Sequence, residues 1–237
     1  MSAPKLANPL FCALDTPALE HARSLADELA GVVGGIKLGL EFFTACGPEG
    51  VAQLADSGLP VFLDLKLHDI PNTVAGAVQS LARLPVAFTT LHAAGGRAMM
   101  EAAVAARARA GRSDLRLLAV TVLTSLDERD LRVLGMSGGV AERVVALARL
   151  ALEAGMDGLV CSPRELRPLR AHFGDGPLLV APGIRPQAAG DDQKRVASPQ
   201  AALNAGADML VVGRPITAST NPRAAAEAIL AAIRGSG

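Results

Sequence analysis

The feature that most constrains the fold is a regular alternation of short apolar runs with longer helical segments. The segments between the runs, such as EHARSLADELAGV and VAERVVALARLALEAG, carry charged residues at helical spacing, as helices that cover a sheet do. The pattern therefore predicts parallel βαβ units. The eight runs that we interpret as buried strands are PLFCALD, GGIKLG, PVFLDLKL, AFTTLHAA, LRLLAVTVL, DGLVCSP, PLLVAPGI and DMLVVGRPI.

Eight consecutive units without a linker or a change in composition predict a closed barrel rather than an open sheet. A chain of 237 residues has a length at which α/β barrels commonly form one domain. The predicted fold class is therefore α/β, a (β/α)8 TIM barrel in which residues 1–237 form a single domain. With 50% hydrophobic and 19% charged residues, the chain has ample apolar material for such a core.

Composition also argues against several classes of partner and of site. Lys plus Arg and Asp plus Glu both number 23, so no net charge attracts nucleic acid or an anionic membrane. No apolar run approaches the roughly 20 residues that cross a bilayer, and the first residues lack a signal-peptide pattern, which predicts a cytoplasmic protein.

Cys12, Cys46 and Cys161 are widely spaced among apolar residues, as reduced core thiols are. No HExxH, CxxC, Walker A or strand-linked GxGxxG pattern occurs, so we expect neither a metal nor a cofactor.

One predicted strand carries three charges within six positions, in the stretch VFLDLKLHDIPNTV. Asp64 and Lys66 are two residues apart and so point to the same side of a strand, while Asp69 follows at the turn into a helix. Lys37 ends another predicted strand, and the carboxyl ends of barrel strands meet at one face, where active sites form. Alternating Lys and Asp charges would hold one another rigidly and prepare a cationic acid beside a fixed anion. A buried ion-pair network without chemistry is the alternative interpretation.

The last two predicted strands end in glycine and arginine, in APGIR and VVGRPI. Loops after strands 7 and 8 of such barrels often bind phosphate, where glycine lets backbone N–H groups approach the anion and a guanidinium makes bidentate bonds. Gly213 and Arg214 fit these roles, although glycines of tight turns and solvated arginines would give the same pattern. Between the two ends, GIRPQAAGDDQKRVASP is too long for an ordinary loop of roughly 2 to 6 residues, which predicts a lid over the ligand.

Together these motifs resemble the orotidine 5'-phosphate (OMP) decarboxylase family, in the form of its shorter bacterial branch. The resemblance covers nearly the whole chain. Its marks are Asp15 in ALD, then IKLG, DLKLHDIPNT, LHAAGG, LTS, VCSP, APGIRP, DDQKRVASP and VVGRPIT, in the family's order. A DxKxxD core alone would be unspecific, because related sugar-phosphate barrels share it. Its extension into IPNT, together with DDQKR and VVGRPIT, makes the resemblance specific.

The resemblance implies a reaction and a role for each matching residue. It implies cofactor-independent decarboxylation of OMP to UMP and CO2 in pyrimidine biosynthesis, with Lys66 protonating C6 and Asp64 lying against the departing carboxylate. Lys37 and Asp69 would complete the catalytic set. The implied protein is a homodimer in which Asp69 and Thr73 enter the neighbouring subunit's site. The implied substrate-binding residues are Asp15 and Lys37 for the ribose, Thr124 for the pyrimidine edge, and Arg185, Gln193, Gly213 and Arg214 for the phosphate end, together with Thr73 and Pro182.

Two other functions stay open on the sequence. A metal-dependent sugar-phosphate lyase of the same barrel group would carry a metal-binding acid at the second strand, where this chain has Lys37. A non-catalytic sensor of phosphate ligands would be expected to have lost part of the Asp-Lys-Asp set, all of which is present. Dependence on Mg²⁺ would favour the lyase, and UMP binding without OMP turnover would favour the sensor.

Overall fold

Eight parallel strands form one closed barrel in the computed structural model, which describes residues 6–136, 138–185 and 197–234. Each strand pairs with the next along the chain, and the eighth pairs with the first. This closure confirms the predicted (β/α)8 barrel. The strands are β1 (Leu10–Ala13), β2 (Gly35–Leu38), β3 (Val61–Leu67), β4 (Phe88–His92), β5 (Arg116–Val120), β6 (Gly158–Val160), β7 (Leu178–Pro182) and β8 (Met209–Val212).

Helices follow each strand of the barrel, some of them as short pieces. Pro71 begins α3, as predicted, because a proline lacks an N–H that the first turn of a helix does not need. Within the described residues, no helix is both long enough and apolar enough to cross a membrane. The helices are α1 (Leu19–Leu29), α2 (Leu40–Ala55), α3 (Pro71–Leu81), α4 (Arg97–Arg109), α5 (Glu128–Val133), α6 (Val140–Glu153), α7 (Leu166–Phe173), α8 (Pro199–Asn204), α9 (Arg214–Thr217) and α10 (Pro222–Arg234).

The barrel interior is filled by a small apolar core of its own. Alternate strand residues point inward, and the rings of Phe11 and Phe62 each pack edge to face against Phe88, with ring centroids 5.7 and 6.1 Å apart. Val180 and Val211 belong to the same cluster. The opposite sides of the strands join a larger core beneath the helices. Because side chains plug the barrel, a site at its carboxyl face has an apolar floor.

Strand β3 is irregular where the sequence predicted simple alternation. Leu63 is in register with Thr89 of β4, but the next pair joins Leu67 to Leu91. Residues 64–66 of β3 therefore face a single residue of β4. A bulge of this kind bends a strand and re-aims its side chains, and here it lies at the charged residues. The irregularity depends on the partner strand, which a pattern along one strand does not reveal.

The eighth strand is shorter than predicted. The apolar run extends from Asp208 to Ile216, whereas β8 ends at Val212 and Arg214 begins the short helix α9. Pro215 explains the difference, because proline donates no hydrogen bond to a strand ladder but fits the first turn of a helix. Arg214 thus lies just beyond the end of the strand, in the loop region that surrounds the barrel mouth.

Candidate active site

Four charged side chains form an alternating array at the carboxyl face of the barrel. Lys66 Nζ donates to Asp64 Oδ2 at 2.7 Å, and Lys37 Nζ lies 3.8 Å from the same oxygen. Lys37 Nζ also donates to Asp15 Oδ1 at 3.0 Å. Each inner charge is therefore flanked by two charges of opposite sign, which offset the loss of water around it. Asp64 and Lys66 lie side by side, as the sequence predicts.

Three of the four members of this array are largely removed from water. The side chains of Lys37 and Asp64 are each 12% exposed, that of Lys66 is 30% exposed, and that of Asp15 is 55% exposed. Charges interact more strongly where water is excluded, so Lys37, Asp64 and Lys66 form a fixed electrostatic unit, whereas Asp15 is open to solvent. Charge that is fixed in advance can stabilise charge that develops during a reaction.

The backbone of Lys66 adopts a conformation that is unusual for a residue with a side chain. Its φ is 52°, and among the described residues no other non-glycine residue has a positive φ. The left-handed region costs a non-glycine residue of order 1–3 kcal/mol and persists only where surrounding contacts hold it. Such strain clusters at functional positions, and here it falls on one of the two lysines of the array.

Two residues that the sequence analysis did not identify support the array. Thr90, buried in β4, accepts a hydrogen bond from Lys66 N–H and donates one to Asp64, both at 2.8 Å. At Gly39, an added Cβ would lie 3.0 Å from Lys37 Nζ, so the glycine leaves room for the ammonium. A threonine within a strand and a glycine before a helix are both common, and neither carries a signal that points to a site.

The array lines a cavity of about 350 Å³. This volume falls within the range of roughly 300–1,000 Å³ that is usual for small-molecule sites. The floor is apolar and belongs to the interior core, with Phe62, Val160, Val180 and Val211. The cavity brings together most of the predicted site residues, namely Asp15, Lys37, Asp64, Lys66, Thr124, Pro182, Arg185, Gly213 and Arg214.

Two of the predicted site residues that the structure describes do not line this cavity. Asp69 and Thr73 are exposed near the start of α3, outside the cavity lining. Asp69 Oδ1 instead accepts a hydrogen bond from Ile70 N–H at 2.6 Å. Gln193 lies outside the described residues. The cavity of one chain is therefore lined without Asp69 and Thr73, the two residues that the resemblance assigns to the site of a neighbouring subunit.

The loops after β7 and β8 bring Arg185 and Arg214 to the cavity lining. Gly183 has a φ of 74°, a conformation that glycine adopts without strain. For Gly213 the question is whether a side chain would fit. A Cβ added there would have Ala13 Cβ as its nearest neighbour, at 3.6 Å, which is an ordinary van der Waals distance. Packing within the chain thus does not require glycine at position 213, and space remains there for a ligand to approach the backbone.

The two ends of the long segment after β7 are joined to each other. Ile184 and Ala197 form an isolated parallel bridge, and Arg185 N–H donates to Ala197 O at 3.1 Å. Since Arg185 also lines the cavity, the two joined ends lie beside it. Residues 186–196 lie outside the described residues, so the lid stays a prediction.

A pair of histidines lies beside the array. His92, at the end of β4, contacts His68 with ring centroids 5.4 Å apart. Burial lowers the pKa of His92, and the nearby His68 and Lys66 lower it further, against an opposing effect of Asp64. Because its ordinary pKa is already below 7, the His92 ring is neutral at pH 7 and adds no charge to the array.

Two of the three cysteines are poorly suited to act as nucleophiles. Cys12 and Cys161 are buried free thiols, and burial raises the pKa of Cys12 to about 12 and the pKa of Cys161 well above its ordinary value. A thiol must ionise to attack, so these two are core residues, as predicted; Cys46 is only half-buried. Within the described ranges, no three His, Cys, Asp or Glu side chains are grouped so as to hold a metal ion.

The chain matches a known protein family over almost its whole length. The model of the Orotidine 5'-phosphate decarboxylase / HUMPS family matches residues 8–229. The chain belongs to this family. The matched range contains the charged array and every residue of the cavity lining, so the resemblance seen in the motifs is confirmed.

Individual OMP decarboxylases are similar to this chain in sequence and in fold. The orotidine 5'-phosphate decarboxylase of Rhodospirillum rubrum is 52% identical over 234 residues, which cover 96% of this chain and 95% of that protein. The one of Novosphingobium aromaticivorans is 52% identical over 229 residues, which cover 96% of this chain and 100% of that protein. The crystal structure of the Lactobacillus acidophilus enzyme has a TM-score of 0.86 and 39% identity, covering 96% of this chain and 99% of that one.

Proposed function

We propose that this barrel is a cytoplasmic enzyme that decarboxylates OMP to UMP and CO2 in pyrimidine biosynthesis, without a cofactor. The protein is a carboxy-lyase of the OMP decarboxylase family, and relatives named for this reaction are 52% identical to it over 96% of the chain. The observation that carries the assignment of roles is the alternating array of Asp15, Lys37, Asp64 and Lys66 along the cavity.

The reaction needs a cation beside one carbon atom. When CO2 leaves C6 of the pyrimidine, the electron pair stays in the ring plane, where the π system cannot delocalise it. An ammonium beside C6 stabilises this charge and can then donate a proton to it. We assign this role to Lys66, because it lies in the cavity lining at the end of the array and its side chain is more exposed than that of Lys37, at 30% against 12%.

In the proposed step, the bond between C6 and the carboxylate carbon breaks and CO2 departs. The electron pair left on C6 takes a proton from Lys66 Nζ, which becomes a neutral amine and regains a proton from solvent after UMP leaves. Asp64, which accepts from Lys66 Nζ at 2.7 Å, directs the ammonium. The substrate carboxylate lies against Asp64, and repulsion between these like charges weakens as CO2 leaves.

The other cavity residues suit the remaining groups of OMP. We assign Asp15 and Lys37 to the ribose hydroxyls and Thr124 to the edge of the pyrimidine. Guanidinium groups bind phosphate through paired charge-assisted hydrogen bonds, which suits Arg185 and Arg214. Gly213 completes the assignment at the phosphate end, and the family resemblance adds Gln193 there. Pro182 is assigned to substrate binding without a specific group of OMP.

Proton donation alone is too weak to explain the rate that this reaction needs. General acid catalysis typically contributes 10²- to 10⁴-fold, or roughly 3–5 kcal/mol, whereas the upper range of enzymatic acceleration requires about 20 kcal/mol. The larger part must come from the fixed charges of the array and from phosphate binding energy that drives closure around the substrate. The phosphate end is therefore part of the catalytic machinery.

We also assign the active form as a homodimer in which Asp69 and Thr73 of one subunit reach the cavity of the other. The assignment is supported by the exposure of both residues and by their absence from the lining of their own cavity. Exposed apolar side chains lie at the same end of the barrel, with Ile70 66% exposed and Leu40 53% exposed. Exposed apolar surface of this kind is often covered by a subunit contact.

Mixing two inactive variants tests the shared site. We expect Lys66→Ala and Asp69→Asn each to be nearly inactive alone, and mixed dimers of the two to recover about a quarter of wild-type OMP turnover, since one site in half of the dimers is intact. Lys66→Ala mixed with Asp64→Asn is the matched control and should recover nothing, because both residues act in the same chain. Full activity of Asp69→Asn alone, or no recovery in the first mixture, would contradict the shared site.

Turnover of OMP after removal of divalent cations with EDTA tests the reaction itself. We expect equal amounts of UMP and CO2, with no increase when Mg²⁺ is added. Activity that appears only with Mg²⁺ would instead support the metal-dependent sugar-phosphate lyase. Tight UMP binding without OMP turnover under either condition would support the phosphate-ligand sensor.

A further inference from the structure

The hydroxyl of Thr90 lies where strands β3 and β4 lose their register. Thr90 alone faces residues 64–66 of β3, and it is 0% exposed. Residues in a bulge lack regular ladder partners, and a buried backbone N–H without a partner is strongly unfavourable. The side chain at position 90 is therefore the group available to satisfy the backbone of the bulge.

One hydroxyl satisfies two groups of the charged array at once. Its oxygen accepts from Lys66 N–H at 2.8 Å, and its proton goes to Asp64 Oδ1 at 2.8 Å. A hydroxyl has a single proton to donate, and Thr90 donates this proton to Asp64. The other carboxylate oxygen, Asp64 Oδ2, accepts from Lys66 Nζ, so that a closed ring of contacts joins the three residues.

These contacts fix Lys66 at both ends. The hydroxyl holds its backbone directly, at the left-handed φ of 52°, and holds its ammonium through Asp64. Without the hydroxyl, the strained backbone would lose a hydrogen bond that maintains it, and the carboxylate would lose the donor that orients it. Either change would move Lys66 Nζ within the cavity.

We infer that Thr90 is a positioning residue that sets the locations of the Lys66 ammonium and the Asp64 carboxylate before substrate binds. Thr90 does not line the cavity, so it acts through these two residues. The inference rests on the proposed function, in that it assigns Thr90 an effect on the step at C6. Its geometric part concerns the protein alone and can be measured without OMP.

Thr89 provides a matched control on the same strand. Its side chain points to the opposite side of β4 and is 0% exposed, and its hydroxyl has no hydrogen-bond partner among the described residues. Replacing threonine with valine exchanges a hydroxyl for a methyl group of similar size. Thr89→Val thus removes a hydroxyl that makes no hydrogen bond to any described residue. Thr90→Val removes a hydroxyl that joins Lys66 to Asp64.

Kinetics of three full-length variants test the effect on catalysis. We expect Thr90→Val to lower kcat for OMP by about 10- to 100-fold through misplacement of the reacting groups. Its affinity for UMP should change little, because the phosphate end is intact. Thr90→Ser, which keeps the hydroxyl, and Thr89→Val should both have a kcat close to that of the wild type. Wild-type kcat in Thr90→Val, or an equal loss in Thr90→Ser, would overturn the inference.

Hydrogen exchange of the Lys66 amide, followed by NMR without substrate, tests the positioning separately. The amide should be protected in the wild type, and its protection should fall at least about 10-fold in Thr90→Val but not in Thr89→Val. An unprotected Lys66 amide in the wild type would overturn the inference, even if Thr90→Val fails to fold. A wild type that is inactive on OMP would contradict the proposed function instead, while the amide measurement would still decide the role of Thr90 in holding Lys66.

Discussion

Replacing Lys66 with alanine is expected to lower kcat/KM for OMP by at least about 10⁴-fold, because the variant loses both the cation and the acid at C6. Affinity for UMP should change little, since Arg185, Arg214 and the apolar floor are retained. The Lys66 side chain is 30% exposed, so we expect the variant to fold. Steady-state kinetics with OMP and calorimetric titration with UMP separate chemistry from binding.

Lys66→Arg is the matched control for charge. It keeps a cation beside Asp64, but a guanidinium does not release its proton at a working pH. We expect its kcat/KM to stay at least about 100-fold below that of the wild type, because proton donation is lost. Substantial turnover by Lys66→Ala would refute the assignment of the acid, and wild-type turnover by Lys66→Arg would show that charge alone is sufficient.

Arg214→Ala is expected to lower kcat/KM for OMP by over roughly 100-fold, through loss of charge-assisted bonds to the phosphate. Arg214 is exposed at the start of α9 and lines the cavity, so the substitution should affect the ligand rather than the fold. Both kcat and KM should change, because phosphate binding contributes to closure as well as to affinity. Steady-state kinetics over a wide range of OMP concentration measure both constants.

Two controls isolate the phosphate contact. Arg109→Ala removes the same charge from the exposed last turn of α4, away from the cavity, and should leave the kinetics unchanged. Orotidine lacks the phosphate, so Arg214→Ala and the wild type should process it at the same low rate. A near-normal kcat/KM of Arg214→Ala for OMP, or an equal loss with orotidine, would remove Arg214 from the phosphate site.

The barrel was predictable from the sequence because its strands and helices are local patterns. Each apolar run and each helical segment could be recognised without knowledge of its neighbours, and the number of units then favoured closure. The bulge in β3 was not predictable, since it arises from the register of residues 64–66 against β4. The end of β8 at Val212 was missed for a different reason, because the apolar run continues through Pro215 into a helix.

The charged part of the site was predictable because burying a charge within an apolar strand costs free energy, so charges at such positions point to a specific role. Asp64 and Lys66 stood out in this way, and the structure joins them by a hydrogen bond. Thr90 gave no such signal, because a threonine is ordinary in a strand and its role depends on the facing bulge. Asp69 also stood out as a charge, but its role in a second subunit, like that of Thr73, came from the family resemblance alone. One chain does not contain the second subunit on which that role depends.

The most direct test of the central claim follows C6 of the substrate during a single turnover in D2O with EDTA present. The wild type should release CO2 and form UMP with deuterium at C6 in equal amounts, because Lys66 exchanges its protons with solvent before it donates one. Lys66→Ala, saturated with OMP, should do neither at a measurable rate. Release of CO2 by Lys66→Ala at the wild-type rate, or by the wild type only after Mg²⁺ is added, would contradict the claim that Lys66 stabilises and protonates C6 in a metal-free site.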